Sequence, residues 1–248
     1  MKRLLCIILC LSMVMLFAAC GADKSDQESA AVEETQEPTE EPIEYPVPSS
    51  WFDDAVFVGD SITVMLNLYC DNDPEALGKV QFFCAESLGY NNAQWALDDP
   101  NAVHPYYRGD QQLTENCAEL TGAKKVFIML GMNDLEGYGI DETMKACESL
   151  VNKIKSHTPD VKIYLQSVTP RLKEYEKTNL NNKIIDDFNV KLKAFCEKNH
   201  YKYLDINSIM RDETGALKPE FCSDPDVLGI HFTNEACGNW VQYLKNHV

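Results

Sequence analysis

Five short apolar runs between residues 51 and 248 limit most strongly how this chain can fold. They are rich in β-branched and aromatic residues, and most are continuously apolar: residues 55–59, 80–85, 125–130, 162–168 and 203–206. Continuous apolar runs of this length are typical of strands that are covered on both faces, whereas half-exposed strands alternate apolar with polar residues. We therefore expect a buried sheet of five strands.

Longer stretches with helical periodicity separate these runs. Apolar side chains recur every three or four positions from Leu180 to Phe195, between Glu142 and Ser156, and again after Thr233. Strands that alternate with helices of this length predict a parallel sheet with helices on both faces. In such sheets, functional residues collect on the loops that leave the C-terminal ends of the strands.

The N-terminus has the order of a secretory signal. Two basic residues precede an apolar run from Leu4 to Ala19, which is short for a membrane span and ends on small residues directly before Cys20. This resembles a bacterial lipobox, in which the cysteine is lipidated, although Phe17 stands where an aliphatic residue is usual. We expect residues 1–20 to be a lipoprotein signal peptide and the protein to be extracytoplasmic, held at the cell membrane only by this lipid. The alternative is a plain cleavable signal.

Residues 21–50 differ in composition from the rest. They contain nine Asp or Glu, one Lys and four Pro, show no periodicity, and carry a net charge of -8. Such a stretch buries too little apolar surface to offset its ordering entropy, so it is predicted to be a solvated tether. Residues 51–248 carry a further -11. This acidity argues against nucleic acid or anionic lipid as a partner.

Residues 51–248 are long enough for one domain with a substantial core. Seven cysteines lie within this region, none in the close CxxC spacing of a zinc or redox motif: Cys70, Cys84, Cys117, Cys147, Cys196, Cys222 and Cys237. Their odd number prevents complete internal pairing, and several are expected to act as small buried apolar residues. The sequence indicates neither a bridge nor an oligomeric state.

The segment "FVGDSITVML" places Ser61 directly after the first apolar run and at the start of the following helix. Backbone N–H groups in the first turn of a helix have no intrahelical acceptor and carry partial positive charge. A serine there can attack an ester while these donors stabilise the oxyanion. It can equally be an ordinary helix cap.

Three further residues follow the predicted strands or precede the last helix. Asn133, in "GMND" after the third strand, is a neutral donor suited to an oxyanion hole, or else a turn residue. Gly89, in "SLGYNNA" after the second strand, allows its N–H to approach a ligand closely. His231, in "GIHFT", is the one histidine of five that lies in an apolar, glycine-containing segment.

The order Ser61, Gly89, Asn133 and His231 resembles the SGNH hydrolase superfamily, also called GDSL-type esterases and lipases. The resemblance runs from about Trp51 to the C-terminus. It implies a flavodoxin-like three-layer α/β/α sandwich with a five-stranded parallel sheet. It also implies a Ser61 nucleophile, a His231 base, and an oxyanion hole of the N–H groups of Ser61 and Gly89 with the Asn133 amide. No metal or organic cofactor is implied.

One position departs from the family pattern. The family's histidine is normally preceded three residues earlier by an orienting aspartate, but here that residue is Leu228. We expect Asp226 to loop back and serve as the acid, with Asp224 as the weaker candidate. Two alternatives are a Ser–His dyad held by a backbone carbonyl and a slow or non-catalytic binder.

The substrate is less constrained. Residues 98–112 combine His104, Tyr106, Tyr107 and Arg108 in one loop, and aromatic planes beside polar groups suit a sugar face. An irregular surface loop without a ligand is the alternative. For a tethered extracytoplasmic esterase we expect carboxylic, notably O-acetyl, esters of carbohydrate. The alternatives are an O-acyltransferase acting on envelope glycans, which would use the same residues, and a non-catalytic glycan-binding protein on this scaffold.

Overall fold

The computed structural model describes residues 45–248. Seven strands are present in this part of the chain: β1 (Ala55–Gly59), β2 (Gln81–Cys84), β3 (Tyr106–Tyr107), β4 (Asp110–Gln111), β5 (Lys125–Met129), β6 (Lys162–Gln166) and β7 (Lys202–Leu204). Six α-helices accompany them: α1 (Ser61–Asn72), α2 (Cys117–Thr121), α3 (Met132–His157), α4 (Asn182–Asn199), α5 (Ile206–Met210) and α6 (Asn234–His247).

Five of the strands form one parallel sheet in the order β2-β1-β5-β6-β7, and β3 pairs with β4 in a small antiparallel ribbon. Gly59 at the end of β1 is in register with Cys84 of β2 and Met129 of β5. The neighbouring strands β2, β1 and β5 therefore end at one level. The segments that follow them leave the sheet at the same edge, with Ser61 at the start of α1, Gly89 in the loop after β2 and Asn133 at the start of α3.

Helices cover both faces of the sheet. Helices α1 and α5 pack against α6, while α2 and α4 pack against α3. The predicted α/β/α sandwich with five parallel strands is confirmed. One face carries an aromatic row in which Phe57, Phe127 and Tyr164 of neighbouring strands stack at centroid distances of 4.5 and 4.4 Å. This row covers the middle of the three central strands, β1, β5 and β6.

The folded unit begins before residue 51, which corrects the expected end of the tether at residue 50. Val47 is buried, and its N–H donates to the carbonyl of Lys245 at 2.8 Å. A 3₁₀ turn at Ser49–Phe52 follows and places Trp51 against Phe127 and Tyr164. These contacts join residues far apart in the chain, so local composition did not predict them. The predicted lipoprotein signal with Cys20 and residues 21–44 of the predicted tether lie outside the described residues.

Helix α3 and strand β7 have bounds other than those expected. Helix α3 starts at Met132, ten residues before Glu142, and Gly139 breaks it with φ 70° and ψ 177°. Strand β7 ends at Leu204 because the side chain of Asp205 caps α5, accepting from the N–H of Ser208 at 3.2 Å.

The seven cysteines between residues 45 and 248 are free, and six of them are buried. The prediction that several act as small buried apolar residues is confirmed. Among the residues that the structure describes, no helix has the length and apolar character needed to cross a bilayer.

Candidate active site

Ser61 is the first residue of α1, and the preceding residue, not Ser61, caps the helix. Asp60 has extended backbone angles, and its Oδ1 accepts from the N–H of Ile62 at 2.9 Å. Gly59 permits this tight turn, because a Cβ at that position would lie 1.9 Å from Thr63 Oγ1 and 2.9 Å from the Met129 carbonyl. The hydroxyl of Ser61 is thus not needed as a cap.

The Ser61 hydroxyl is hydrogen-bonded to His231. Its Oγ lies 2.9 Å from Nε2 of the imidazole. His231 precedes α6. Its backbone is held by a hydrogen bond of 2.9 Å from the Ser223 N–H to the His231 carbonyl. The adjacent β-bridge between Cys222 and Phe232 also holds it. The side chain is 20% exposed, so the ring is partly sheltered while one edge faces the serine.

The carboxylate at His231 belongs to Asp224, which corrects the expectation for Asp226. Asp224 Oδ2 lies 2.7 Å from His231 Nδ1. Six residues lie between Asp224 and His231, four more than in the family pattern. The N–H groups of Val227 and Gly229 both donate to the Asp224 carbonyl, at 3.0 and 3.2 Å, so these residues form an inserted turn. Asp226 lies on the exposed side of this turn.

The surroundings of Asp224 favour the ionised form of its carboxyl group. Its Oδ1 accepts from the N–H groups of Ile230 and His231, both at 3.0 Å, and from Cys222 Sγ at 3.3 Å. Burial raises the pKa of Asp224, but the hydrogen bonds, that from the His231 ring foremost, outweigh it and hold the pKa below its usual value. A carboxylate held in this way fixes the orientation of the imidazole.

Asn133 lies beside the other two strand-end loops. Its Nδ2 donates to the Leu88 carbonyl at 3.0 Å and, more weakly, to Asp60 Oδ2 at 3.4 Å. The N–H of Gly89 donates to Asn92 Oδ1 at 2.7 Å. The structure therefore brings Asn133 to the residues next to Ser61 and Gly89, and gives Asn133 and Gly89 internal acceptors.

Asp134 was not singled out in the sequence, although it belongs to the "GMND" motif. It is 1% exposed and accepts from the N–H of Tyr90 at 2.8 Å and from the N–H and side chain of Asn91 at 2.9 and 2.8 Å. A Cβ on Gly89 would lie 2.6 Å from its carboxylate. Asp134 thus holds the Gly89 loop against the start of α3, and only a glycine fits at position 89.

Asp60 is a second buried carboxyl near the serine, 2% exposed. Burial raises the pKa of Asp60 to about 7, although the N–H of Ile62 and the nearby His231 lower it, and Asp134 adds to the increase. The site therefore contains one acid that is ionised at neutral pH and one that titrates there.

Of the aromatic loop at residues 98–112, Tyr107 packs on β2. Tyr107 donates to Gln81 Oε1 at 2.9 Å and packs its ring 5.7 Å from Phe83, so it covers β2 from the strand's first residue onward. Arg108 lies over the Tyr107 ring and His104 is buried, while Tyr106 is 67% exposed. In residues 45–248, no cluster of three or more His, Cys, Asp or Glu could hold a metal ion.

A serine, a histidine and an aspartate joined by hydrogen bonds at the strand ends of an α/β/α sandwich form the arrangement that serine hydrolases use. The GDSL-like lipase/acylhydrolase family model matches residues 57–236. The chain belongs to this family, within the SGNH superfamily, and is an ester hydrolase. No curated protein matches the sequence significantly.

Solved structures share the fold at low sequence identity. A candidate acylhydrolase of Bacteroides fragilis is 19% identical with a TM-score of 0.56, covering 76% of this chain and 82% of its own. A GDSL-like lipase of Bacteroides thetaiotaomicron is 18% identical with a TM-score of 0.56, covering 81% and 88%. A candidate lipolytic protein of the G-D-S-L family from Desulfitobacterium hafniense is 13% identical with a TM-score of 0.56, covering 77% and 97%.

Proposed function

We propose that the protein is a serine esterase that cleaves carboxylic esters through an acyl-enzyme on Ser61. The observation that carries this proposal is the continuous hydrogen-bond chain from Ser61 Oγ through His231 to Asp224. His231 Nε2 takes the hydroxyl proton as Ser61 Oγ attacks the carbonyl carbon, and Asp224 stabilises the resulting imidazolium. His231 then protonates the leaving alcohol, and a water molecule activated by the same nitrogen releases the acid.

The oxyanion of each tetrahedral intermediate would be bound by the N–H groups of Ser61 and Gly89 and by Asn133 Nδ2. Ser61 is the first residue of α1, so its N–H has no acceptor within the helix. Gly89 would exchange its neutral acceptor, Asn92 Oδ1, for the oxyanion, and Asn133 Nδ2 would turn one of its two N–H groups toward it, away from the Leu88 carbonyl or from Asp60 Oδ2. Hydrogen bonds to an ionised acceptor are about twice as strong as neutral ones, which favours this exchange.

The proposed substrates are short-chain, notably O-acetyl, esters of carbohydrate, met outside the cytoplasm by a lipid-anchored enzyme. Support comes from the signal-like N-terminus and the acidic tether. In the aromatic loop, Tyr107 is engaged in packing on β2, and Tyr106 is the aromatic ring left exposed to a ligand. The non-catalytic alternative rested on the absence of an acid at residue 228. Asp224 lies beside His231 instead, so this reason no longer applies. An acyltransferase would use the same residues.

Substitution of Ser61 by alanine tests the chemistry. We expect Ser61→Ala to lose hydrolysis of p-nitrophenyl acetate by several orders of magnitude and to lose labelling by a fluorophosphonate. Ser149→Ala is the matched control, because Ser149 lies in the second half of α3 and its exposed hydroxyl donates to Gln94 Oε1. Retention of wild-type turnover by Ser61→Ala would show that another residue is the nucleophile.

Two product assays test the substrate class. Release of acetate from acetylated sugars, compared with p-nitrophenyl esters of increasing chain length, should show preference for the short acyl group. Acetyl transfer to an added sugar acceptor in preference to water would instead identify an acyltransferase. Turnover confined to long-chain esters would contradict the carbohydrate proposal and leave the catalytic mechanism intact.

A further inference from the structure

We infer that Tyr175 is a positioning residue that sets the geometry of Asp224 and His231 through the inserted turn between them. This inference rests on the proposed function, because it assigns a role within the same catalytic triad. The insertion moves the acid to seven positions before the histidine, in place of the three that are usual in the family. A longer connection has more conformations, so contacts from outside the turn add to its internal hydrogen bonds in holding the two side chains at 2.7 Å.

The support is residues 171–175, which we call the supporting segment. Its Tyr175 hydroxyl donates to the Pro225 carbonyl at 2.8 Å, at the first residue of the turn. The N–H of Leu172 donates to the Gly229 carbonyl at 2.9 Å, at the other end of the turn. The two anchors therefore lie immediately after Asp224 and two residues before His231.

Packing at Gly229 reinforces the second anchor. Gly229 has φ +66°, a left-handed conformation that favours glycine. A Cβ there would lie 2.5 Å from Tyr175 Cδ2 and 3.1 Å from Leu172 Cβ. The turn thus lies directly on the Tyr175 ring, and this side chain fixes both of its ends.

The supporting segment is itself held firmly. The N–H of Arg171 donates to Asn182 Oδ1 at 2.9 Å, and Asn182 Nδ2 donates back to the Arg171 carbonyl at 3.0 Å. Asn182 is the first residue of α4 and is 7% exposed. Arg171 Nη2 also reaches the Leu228 carbonyl of the turn, at 3.5 Å. Helix α4 therefore holds the supporting segment, the supporting segment holds the turn, and the turn holds Asp224.

The consequence for catalysis follows from the bonds of Asp224. Its Oδ1 is held by the N–H groups of Ile230 and His231, so any shift of the turn moves the carboxylate relative to the imidazole. Small misplacements caused by distant residues can lower a rate by as much as about 100-fold. Since Tyr175 does not touch the reacting atoms, its loss should lower kcat and leave KM nearly unchanged.

Tyr175→Phe tests the inference, because it removes only the hydroxyl and keeps the ring under Gly229. We expect kcat for p-nitrophenyl acetate to fall about tenfold, with KM changed less than twofold and an unaltered thermal unfolding curve. The matched control is Tyr45→Phe, which also removes a hydroxyl bonded to a backbone carbonyl, that of Val248, at the end of α6 opposite the site. This control should equal wild type.

A double-mutant comparison separates positioning from general support of the fold. If Tyr175 acts through Asp224, Tyr175→Phe should slow fluorophosphonate labelling about tenfold in the wild-type background but less than twofold in an Asp224→Asn background. Equal losses in both backgrounds, or a Tyr175→Phe variant that equals Tyr45→Phe, would overturn the inference. Neither result would affect the proposed nucleophile, whose failure is seen separately in Ser61→Ala.

Discussion

Asp224 Oδ2 lies 2.7 Å from His231 Nδ1 although six residues separate the two in the chain. Leu228, at the family's usual position for this acid, is 47% exposed. The orienting interaction is thus present and has moved to a residue farther upstream. This relationship makes the contribution of Asp224 to catalysis directly measurable.

Asp224→Asn is expected to lower kcat by about three to four orders of magnitude, while the Ser61 and His231 side chains stay in place. An amide cannot stabilise the imidazolium, and it leaves the ring free to adopt the wrong tautomer, which costs about 10⁴-fold in a well-studied triad. Steady-state kinetics with p-nitrophenyl acetate provide the measurement.

Asp226→Asn is the matched control, because it makes the same chemical change two residues away on the exposed side of the turn. It should remain within twofold of wild type. A large loss in Asp226→Asn with a mild effect in Asp224→Asn would reverse our assignment of the acid.

The location of Ser61 and His231 could be predicted because it depends on local patterns. An apolar run followed by Gly-Asp-Ser marks a strand end, and parallel strands end at one edge of the sheet. The same reasoning brought Asn133 to that edge. The order of the strands was not needed for these predictions.

Which aspartate orients His231 could not be predicted, because Asp224 and Asp226 are the same residue type and lie two positions apart. The choice depends on which carbonyl the N–H groups of Val227 and Gly229 bind, and on the support that Tyr175 gives from another part of the chain. The first residue of the folded unit could not be predicted for a similar reason. Val47 is buried because it lies against the last turn of α6, where its N–H donates to the Lys245 carbonyl.

Asn133→Ala should lower kcat about 10²- to 10³-fold with little change in KM, as expected for a donor that acts mainly on the transition state. Asn72→Ala is a suitable control, because its Nδ2 also donates to a backbone carbonyl but at the exposed end of α1. A rise in KM with an unchanged kcat would assign Asn133 to substrate binding instead of the oxyanion hole.

Cys20→Ser should release the protein from the membrane fraction or block its maturation, because the hydroxyl cannot replace the thiol as the lipid acceptor. The acidic tether would let the wild-type domain range tens of ångströms from the bilayer. Cell fractionation with immunodetection is the measurement. An unchanged membrane fraction would contradict the lipoprotein proposal without affecting the assignment of the active site.

The last prediction concerns the pH dependence of stability and depends on Asp60. Burial raises the pKa of this carboxyl from 3.8 to about 7, so between these values the folded chain holds a proton that the unfolded chain has released. Stability from this group is therefore lost as the pH rises from about 4 to about 7, by up to about 4 kcal/mol. Asp60→Asn cannot titrate, so its free energy of unfolding should fall less across this range. Urea unfolding at several pH values would measure the difference, with the exposed Asp71→Asn of the same helix as control. Parallel curves for wild type and Asp60→Asn would show that Asp60 is ionised throughout this range.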